Sequence, residues 1–133
     1  AAYSPAASRG APLSFLDAHV QQGNALLGAT PALLARGIRK GDVVGLWVTN
    51  RLEFTIALYA TLRIGAIAAP MNTRYREHDV AYALRLAECK LLFVVECSGP
   101  VGYVEMLKAV IPGFDGERFD QAAAFPHLVD IVV

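Results

Sequence analysis

The sequence predicts an α/β fold, a doubly wound and mostly parallel sheet with helices on both faces. Four short apolar segments have the length and pattern of strands buried on both faces, as parallel sheets require. They span residues 43–48, 66–69, 90–95 and 129–133. Segments with helical spacing separate them, and this alternation is typical of right-handed crossovers within one sheet. A length of 133 residues suits a single domain with a substantial core.

The amino-terminal part is predicted to be a flexible lead-in followed by two helices. Residues 1–12 are small, contain Ser and Pro and show no hydrophobic pattern. Ser14 can cap the first helix. Thr30 followed by Pro31 has the pattern of a new N-cap with proline at the first helical position, so a second short helix is predicted over residues 31–36.

Residues 43–69 form the clearest unit, a strand, a helix and a second strand. Asn50 lies where a helix N-cap belongs, and Glu53 is placed to return a hydrogen bond to the cap. Gly65 is expected to end this helix in a left-handed conformation. The helix, over residues 51–64, has almost no polar face, so we expect neighbouring elements to cover it nearly all round.

Two further helices are predicted in the second half of the chain. The first begins near Glu77 and Asp79, whose carboxylates favour the positive end of a helix dipole. The second covers residues 101–110. The segment at residues 97–102 stands between strand and helix, where a phosphate-binding nest could form. Because Pro100 has no N–H to donate and no P-loop lysine is present, we interpret the segment as a βα turn.

The composition excludes several classes of protein. Twelve basic residues balance twelve acidic ones, and no nucleic-acid partner is predicted. No apolar run approaches the roughly 20 residues of a membrane helix, and the first residues lack the apolar core of a signal peptide. We therefore predict a cytoplasmic protein without a transmembrane segment. Cys89 and Cys97 are expected to be reduced structural thiols, because neither a second cysteine pair nor a histidine spacing makes a zinc site.

The order of the motifs resembles that of a known family. GIRKGD, an apolar strand, TNRLEF, an apolar helix and then GAIAAPMNTR follow one another between residues 37 and 74. This order is similar to the N-terminal subdomain of the AMP-forming acyl-CoA synthetases, within the adenylate-forming enzyme superfamily. GYVEML at residues 102–107 resembles a helix of the fatty-acid ligases in that family. The resemblance implies that residues 13–133 are an incomplete N-terminal α/β subdomain, truncated before the phosphate-binding loop.

The resemblance also implies a function. The full-length enzyme would use ATP, Mg²⁺ and CoA to convert a carboxylic acid, such as a fatty acid, into its acyl-CoA ester. The phosphate-binding loop and later motifs of the family are missing from these 133 residues, so we expect this chain alone to bind no cofactor and to be inactive. Its partners would be the remainder of the enzyme and the acid, and the sequence leaves open whether the enzyme forms a homodimer. Two alternatives stay open: a relative that adenylates an acid for a carrier protein, and a stand-alone non-catalytic interaction module.

Arg74 is the candidate site residue. In CoA ligases of the resembled family, an arginine directly after the P-x-N turn lies near the CoA nucleotide, and Asn72, Thr73 and Arg74 match that place. A guanidinium can hold a phosphate through two parallel hydrogen bonds. The alternative is a solvated arginine that packs on Tyr75. We predict no catalytic and no metal-binding residue, because the histidines are widely separated and lack a paired carboxylate or cysteine pattern.

Overall fold

The computed structural model describes residues 25–120 and 123–133. The lead-in at residues 1–12 and the helix predicted to begin at Ser14 lie outside these ranges. The elements in chain order are helix α1 (Ala25–Ala35), strand β1 (Val43–Trp47), helix α2 (Leu52–Arg63), strand β2 (Ile67–Pro70), helix α3 (Glu77–Leu86), strands β3 (Leu91–Val94), β4 (Cys97–Ser98) and β5 (Val101–Gly102), helix α4 (Tyr103–Val110) and strand β6 (Asp130–Val132).

Four strands form one sheet in the order β2-β1-β3-β6, and every neighbouring pair is parallel. The predicted strands are therefore confirmed, each within one residue of its expected bounds. The chain moves from β1 to β2 in one direction and then crosses β1 to reach β3. Right-handed crossovers consequently place α2 on one face of the sheet and α3 and α4 on the other. In agreement, α1 packs against α2, and α3 packs against α4.

The core is centred on the two inner strands, β1 and β3. All four residues of β3 are 0% exposed, which explains why this segment is an uninterrupted apolar run in the sequence. Strand β1 is also closely packed: a Cβ added at Gly45 would lie 3.0 Å from both the Leu92 and the Met71 side chains. None of the helices within residues 25–120 and 123–133 is long and apolar enough to cross a bilayer.

Residues Ala25–Ala35 form one helix, so the predicted new start at Thr30 is wrong. Pro31 lies inside α1, although a proline there removes a backbone hydrogen bond and strains the preceding turn. Ala29 and Leu33 are each 1% exposed and share one side of α1, which packs against α2. Burial of this side stabilises a continuous helix more than the local signal favours a break.

Helix α2 begins one residue later than predicted. Its N-cap is Arg51, whose backbone is extended (φ −150°, ψ 169°) and whose side chain makes no capping hydrogen bond. Asn50 is exposed and precedes the cap position, so the predicted cap from Asn50 and Glu53 is wrong. The end of the helix is as predicted, because Gly65 adopts a left-handed φ of +75°.

In the described part of the chain, only one side of α2 is covered. Ile56 and Ala60 are 3% and 0% exposed, whereas Leu52, Tyr59 and Leu62 are 57%, 54% and 51% exposed. The expectation that α2 is covered all round is therefore wrong here. The sheet and α1 contact one side of the helix, and apolar composition alone did not reveal which side that would be.

The segment after β3 is a hairpin rather than a simple βα turn. Strands β4 and β5 pair antiparallel, and Gly99 makes the turn with a φ of +57°. The N–H groups of Tyr103 and Val104 both donate to the carbonyl of Glu96, over 3.0 and 3.3 Å. Helix α4 thus starts at Tyr103, two residues later than predicted. These two N–H groups at the start of α4 are already hydrogen-bonded and are therefore not available to a phosphate.

Asp42 and Lys90 form an ion pair that the sequence pattern did not reveal. The ammonium of Lys90 lies 2.8 Å from the Asp42 carboxylate and 2.9 Å from the carbonyl of Gly37. The N–H of Arg39 donates to the same carboxylate over 2.7 Å. Burial opposes ionisation of Asp42, but the hydrogen bonds from Lys90 and Arg39 and the charge of Lys90 outweigh it and lower the pKa of this carboxyl.

Replacing Asp42 with asparagine is expected to lower the free energy of unfolding at neutral pH. The size of this loss is expected to decrease as the pH falls. The folded-state pKa of Asp42 is lowered. Its stabilising contribution is therefore present above the unfolded pKa of about 3.9 and is lost as the pH falls through the folded pKa. Urea unfolding at pH 7 and pH 3 would measure this, with Asp120→Asn, at an exposed position, as the control. An Asp42→Asn effect of equal size at both pH values would contradict the assignment.

Candidate functional site

The site region lies at the carboxyl edge of the sheet. Strand β2 ends at Pro70, beside Leu46 of β1, and the N–H of Met71 donates to the Leu46 carbonyl over 2.9 Å before the chain leaves the sheet. Ligands of open α/β sheets bind at this edge, next to the point where successive connections run in opposite directions. Here that point lies between β1 and β3. Arg74 follows β2 at the same edge.

The loop of residues 72–74, called the Asn72 loop below, is held by two buried aromatic side chains. The indole N–H of Trp47 donates to the carbonyl of Asn72 over 3.0 Å, and the hydroxyl of Tyr103 donates to the carbonyl of Thr73 over 3.1 Å. The two rings meet edge to face, with centroids 4.8 Å apart and an interplanar angle of 86°. Trp47 is 0% and Tyr103 3% exposed, so water competes little for these hydrogen bonds.

The side chain of Asn72 shapes the loop from within. Its Oδ1 accepts a hydrogen bond from the N–H of Arg74 over 2.9 Å, which is the geometry of an Asx turn. Its carbonyl accepts a second hydrogen bond, from the N–H of Tyr75 over 3.0 Å, in addition to that from Trp47. The predicted turn is confirmed, and its backbone is hydrogen-bonded on both sides of Thr73.

The far end of the loop is anchored by α3. Arg76 is the N-cap of this helix, and its N–H donates to the carboxylate of Asp79 over 3.0 Å. Asp79 thus acts at the helix start as the sequence predicts. Val80, Ala81 and Leu84 are buried and fix α3 against the rest of the molecule. The Asn72 loop therefore connects two anchored elements, β2 and α3.

The side chain of Arg74 itself is exposed. Within residues 25–120 and 123–133, its guanidinium takes part in no hydrogen bond, ion pair or ring contact, including with Tyr75. All of its donors are therefore open to solvent or to a ligand. A partnerless guanidinium on a backbone-fixed loop is suited to a phosphate or a carboxylate, since it can donate two parallel hydrogen bonds.

Comparison with known proteins decides the family. The family model described as AMP-binding enzyme matches residues 29–126, which is more than half of the chain. The chain belongs to the AMP-binding enzyme family. The mitochondrial medium-chain acyl-CoA ligase of Danio rerio is 32% identical over 84 residues, which are 63% of this chain and 14% of that ligase. The 3-hydroxybenzoate/4-hydroxybenzoate–CoA ligase of Thauera aromatica is 40% identical over 63 residues, covering 47% and 12% of the two chains.

Solved structures agree with this assignment. The fatty acyl-CoA synthetase of Mycobacterium tuberculosis superposes with a TM-score of 0.62 at 28% identity, covering 78% of this chain and 18% of that one. The N-terminal domain of FACL13 from the same organism gives a TM-score of 0.58 at 28% identity. The predicted resemblance to adenylate-forming acyl-CoA ligases and the α/β fold are confirmed. The chain spans less than a fifth of the two ligases and of the fatty acyl-CoA synthetase, and 23% of the FACL13 N-terminal domain.

Within the part of the chain that the structure describes, the other residues considered from the sequence do not assemble into a second site. Cys89 and Cys97 are free thiols, as predicted, and burial raises the pKa of Cys89 to about 11, which leaves it protonated at neutral pH. His78 and His127 are exposed, and His19 lies outside the described ranges. No group of three or more His, Cys, Asp or Glu side chains within residues 25–120 and 123–133 could hold a metal ion.

A cavity of about 190 Å³ lies at the opposite, amino edge of the sheet. Its walls include Leu84, Cys89 and Leu128, and the guanidinium of Arg85 stacks 5.3 Å above the ring of Phe125 at its side. The cavity is thus mostly apolar and stands apart from Arg74. Nothing in its lining adds a group to the Asn72 loop.

Trp47 and Tyr103 are the site residues that the sequence did not reveal. Trp47 is buried in the core, and its N–H also holds the Asn72 loop. One signal was available in principle: a buried indole N–H needs an acceptor, and a tryptophan ending a parallel strand must find it at the carboxyl edge. No comparable signal marks the Tyr103 hydroxyl, whose acceptor lies 30 residues away.

Proposed function

We propose that residues 13–133 are the N-terminal part of an AMP-forming acyl-CoA ligase, which converts a carboxylic acid, ATP and CoA into acyl-CoA, AMP and pyrophosphate. The family match over residues 29–126 supports the enzyme class. Relatives named as acyl-CoA ligases support the acceptor. The observation that carries the proposal is the exposed guanidinium of Arg74, which has no partner within the described residues and projects from a hydrogen-bonded loop.

In this proposal Arg74 binds the 3′-phosphate of CoA. The phosphate carries negative charge and offers oxygens in the spacing that a guanidinium can bridge with two N–H groups. The loop backbone is already ordered by Trp47, Tyr103 and Asn72, so binding has to order only the arginine side chain. Arg76, also exposed, lies two residues further on and adds positive charge.

ATP and Mg²⁺ are assigned to the remainder of the enzyme. The described residues hold no cluster of potential metal ligands, and the amides that open α4 already donate to Glu96. These two observations support a nucleotide–metal site that lies outside the described residues. This part of the ligase would supply a wall of the site, its scaffold and the contact to CoA.

The 133-residue chain alone is expected to exchange no pyrophosphate into ATP, because the described residues hold no cluster of metal ligands and the amides that open α4 already donate to Glu96. The full-length ligase is expected to do so with its acid substrate. Exchange of radiolabelled pyrophosphate, over a panel of fatty and aromatic acids, would measure both. Exchange by the 133-residue chain above the background without protein would contradict the division of roles.

The acceptor can be tested on the full-length ligase once an acid is found. We expect release of AMP to depend on free CoA, since Arg74 offers a charged contact that matches the CoA nucleotide. Mass spectrometry of the product would identify the acyl-CoA ester. If the acyl group is instead transferred to the phosphopantetheine arm of a carrier protein, and free CoA does not accept it, the proposal is wrong. The enzyme would then be a relative that adenylates an acid for a carrier protein.

A further inference from the structure

We propose that Trp47 and Tyr103 are positioning residues for Arg74: they clamp the Asn72 loop so that the guanidinium stays aimed at the phosphate of CoA. The inference rests on the proposed function, because it takes Arg74 to be the CoA contact. Neither aromatic residue is required to touch the ligand. Their effect is transmitted through the two carbonyl groups that they bind.

The clamp joins three separate parts of the fold. Trp47 is the last residue of β1, and Tyr103 is the first residue of α4. Their donors meet consecutive carbonyls, those of Asn72 and Thr73, from two directions. Hydrogen bonds on the carbonyls of two consecutive peptide units hold both units and so restrict the backbone torsion angles of Thr73 between them. They therefore set the direction in which the backbone enters Arg74.

The same contacts tie the loop to the buried part of the site edge. Trp47 extends from a central strand and is fully buried, and Tyr103 packs edge to face on it. If either donor were lost, a carbonyl of the loop would have to find water, and the loop backbone would gain conformational freedom. A ligand bound by Arg74 would then have to restore that order, and its affinity would fall.

The hydroxyl of Tyr103 can be removed without removing the ring. Tyr103→Phe keeps the edge-to-face contact with Trp47 and the burial of α4, and it deletes only the hydrogen bond to Thr73. This substitution therefore tests how the hydroxyl positions the loop without changing the packing of the core. Tyr82→Phe is the matched control, because Tyr82 is 57% exposed on α3.

In the full-length ligase, Tyr103→Phe is expected to raise the KM for CoA by roughly three- to tenfold, the range expected for one lost hydrogen bond. The value of kcat at saturating CoA is expected to change less than the KM. With dephospho-CoA, which lacks the 3′-phosphate, the variant and the wild type are expected to behave alike. Tyr82→Phe should change neither KM.

A second readout uses the 133-residue chain and does not depend on turnover. Hydrogen exchange measured by NMR is expected to be several-fold faster at the Arg74 amide in Tyr103→Phe, because the Asx turn loses part of its support. The amide of Ile56, in the covered part of α2, should exchange at the wild-type rate. A uniform increase at both amides would indicate general destabilisation and would overturn the positioning role.

The outcomes separate this inference from the proposed function. If Arg74→Ala raises the KM for CoA and Tyr103→Phe does not, the positioning role is overturned and the CoA contact stands. If Arg74→Ala leaves the KM for CoA unchanged, the CoA contact itself is overturned. If Tyr103→Phe weakens CoA and dephospho-CoA by the same factor, the hydroxyl acts on the fold alone, which also overturns the inference.

Discussion

Ile56→Ala is expected to lower the free energy of unfolding of the 133-residue chain by about 2 to 5 kcal/mol. Ile56 is 3% exposed on the covered side of α2, so the truncation leaves a cavity against neighbouring core side chains. Urea unfolding followed by tryptophan fluorescence suits the measurement. Trp47 is the single tryptophan of the sequence and is fully buried, so its emission reports on the core.

Leu62→Ala provides the matched control on the same helix. Leu62 is 51% exposed, and its truncation removes much less buried apolar area, so the cost is expected to stay below about 1 kcal/mol. The difference between the two variants measures how one-sided the cover of α2 is. Equal losses for Ile56→Ala and Leu62→Ala would mean that both sides are covered, as the sequence pattern predicts.

Most of the sheet could be predicted because the burial of a strand determines which residue types its sequence contains. A strand buried on both faces has to be apolar at every position, and β3 shows this with four fully buried residues. Helices between such strands then require parallel pairing, which the register of β1 with both β2 and β3 confirms. The direction of the strands thus followed from local patterns alone.

The errors lie where tertiary contacts decide between local alternatives. Thr30 and Pro31 form a sound local start signal, but the burial of Leu33 against α2 keeps α1 continuous. The predicted N-cap, Asn50, and the observed N-cap, Arg51, are neighbours in the sequence. Sequence patterns rarely define the end of a helix to better than one residue. The cover of α2 depends on which elements surround it, and its own apolar residues do not specify them.

The candidate site was predicted in part. The place of Arg74 came from the motif after Pro70, and the Asx turn of Asn72 is local and was foreseen as a turn. The hydrogen bonds of Trp47 and Tyr103 join residues 25 and 30 positions apart, and the sequence does not show which acceptor each donor meets. The same holds for the ion pair between Asp42 and Lys90.

In the full-length ligase, Arg74→Ala is expected to raise the apparent KM for CoA about tenfold or more. Loss of a charge-assisted hydrogen bond typically costs about 1.5 to 3 kcal/mol, and 1.4 kcal/mol corresponds to a factor of ten. In the proposed reaction the acid is adenylated before it is transferred to CoA, so pyrophosphate exchange should fall far less. Arg63→Ala, which removes an equal charge at the end of α2, on the opposite edge of the sheet, should leave the KM for CoA unchanged.

The most direct test of the CoA contact is a double-mutant cycle between Arg74 and the 3′-phosphate of the ligand. The KM for CoA and for dephospho-CoA would be measured in the wild type and in Arg74→Ala. If the guanidinium binds this phosphate, the substitution weakens CoA about tenfold or more and leaves dephospho-CoA nearly unaffected. If Arg74→Ala weakens both ligands by the same factor, the residue acts by keeping the Asn72 loop in shape, and the assignment of Arg74 to the CoA phosphate is wrong.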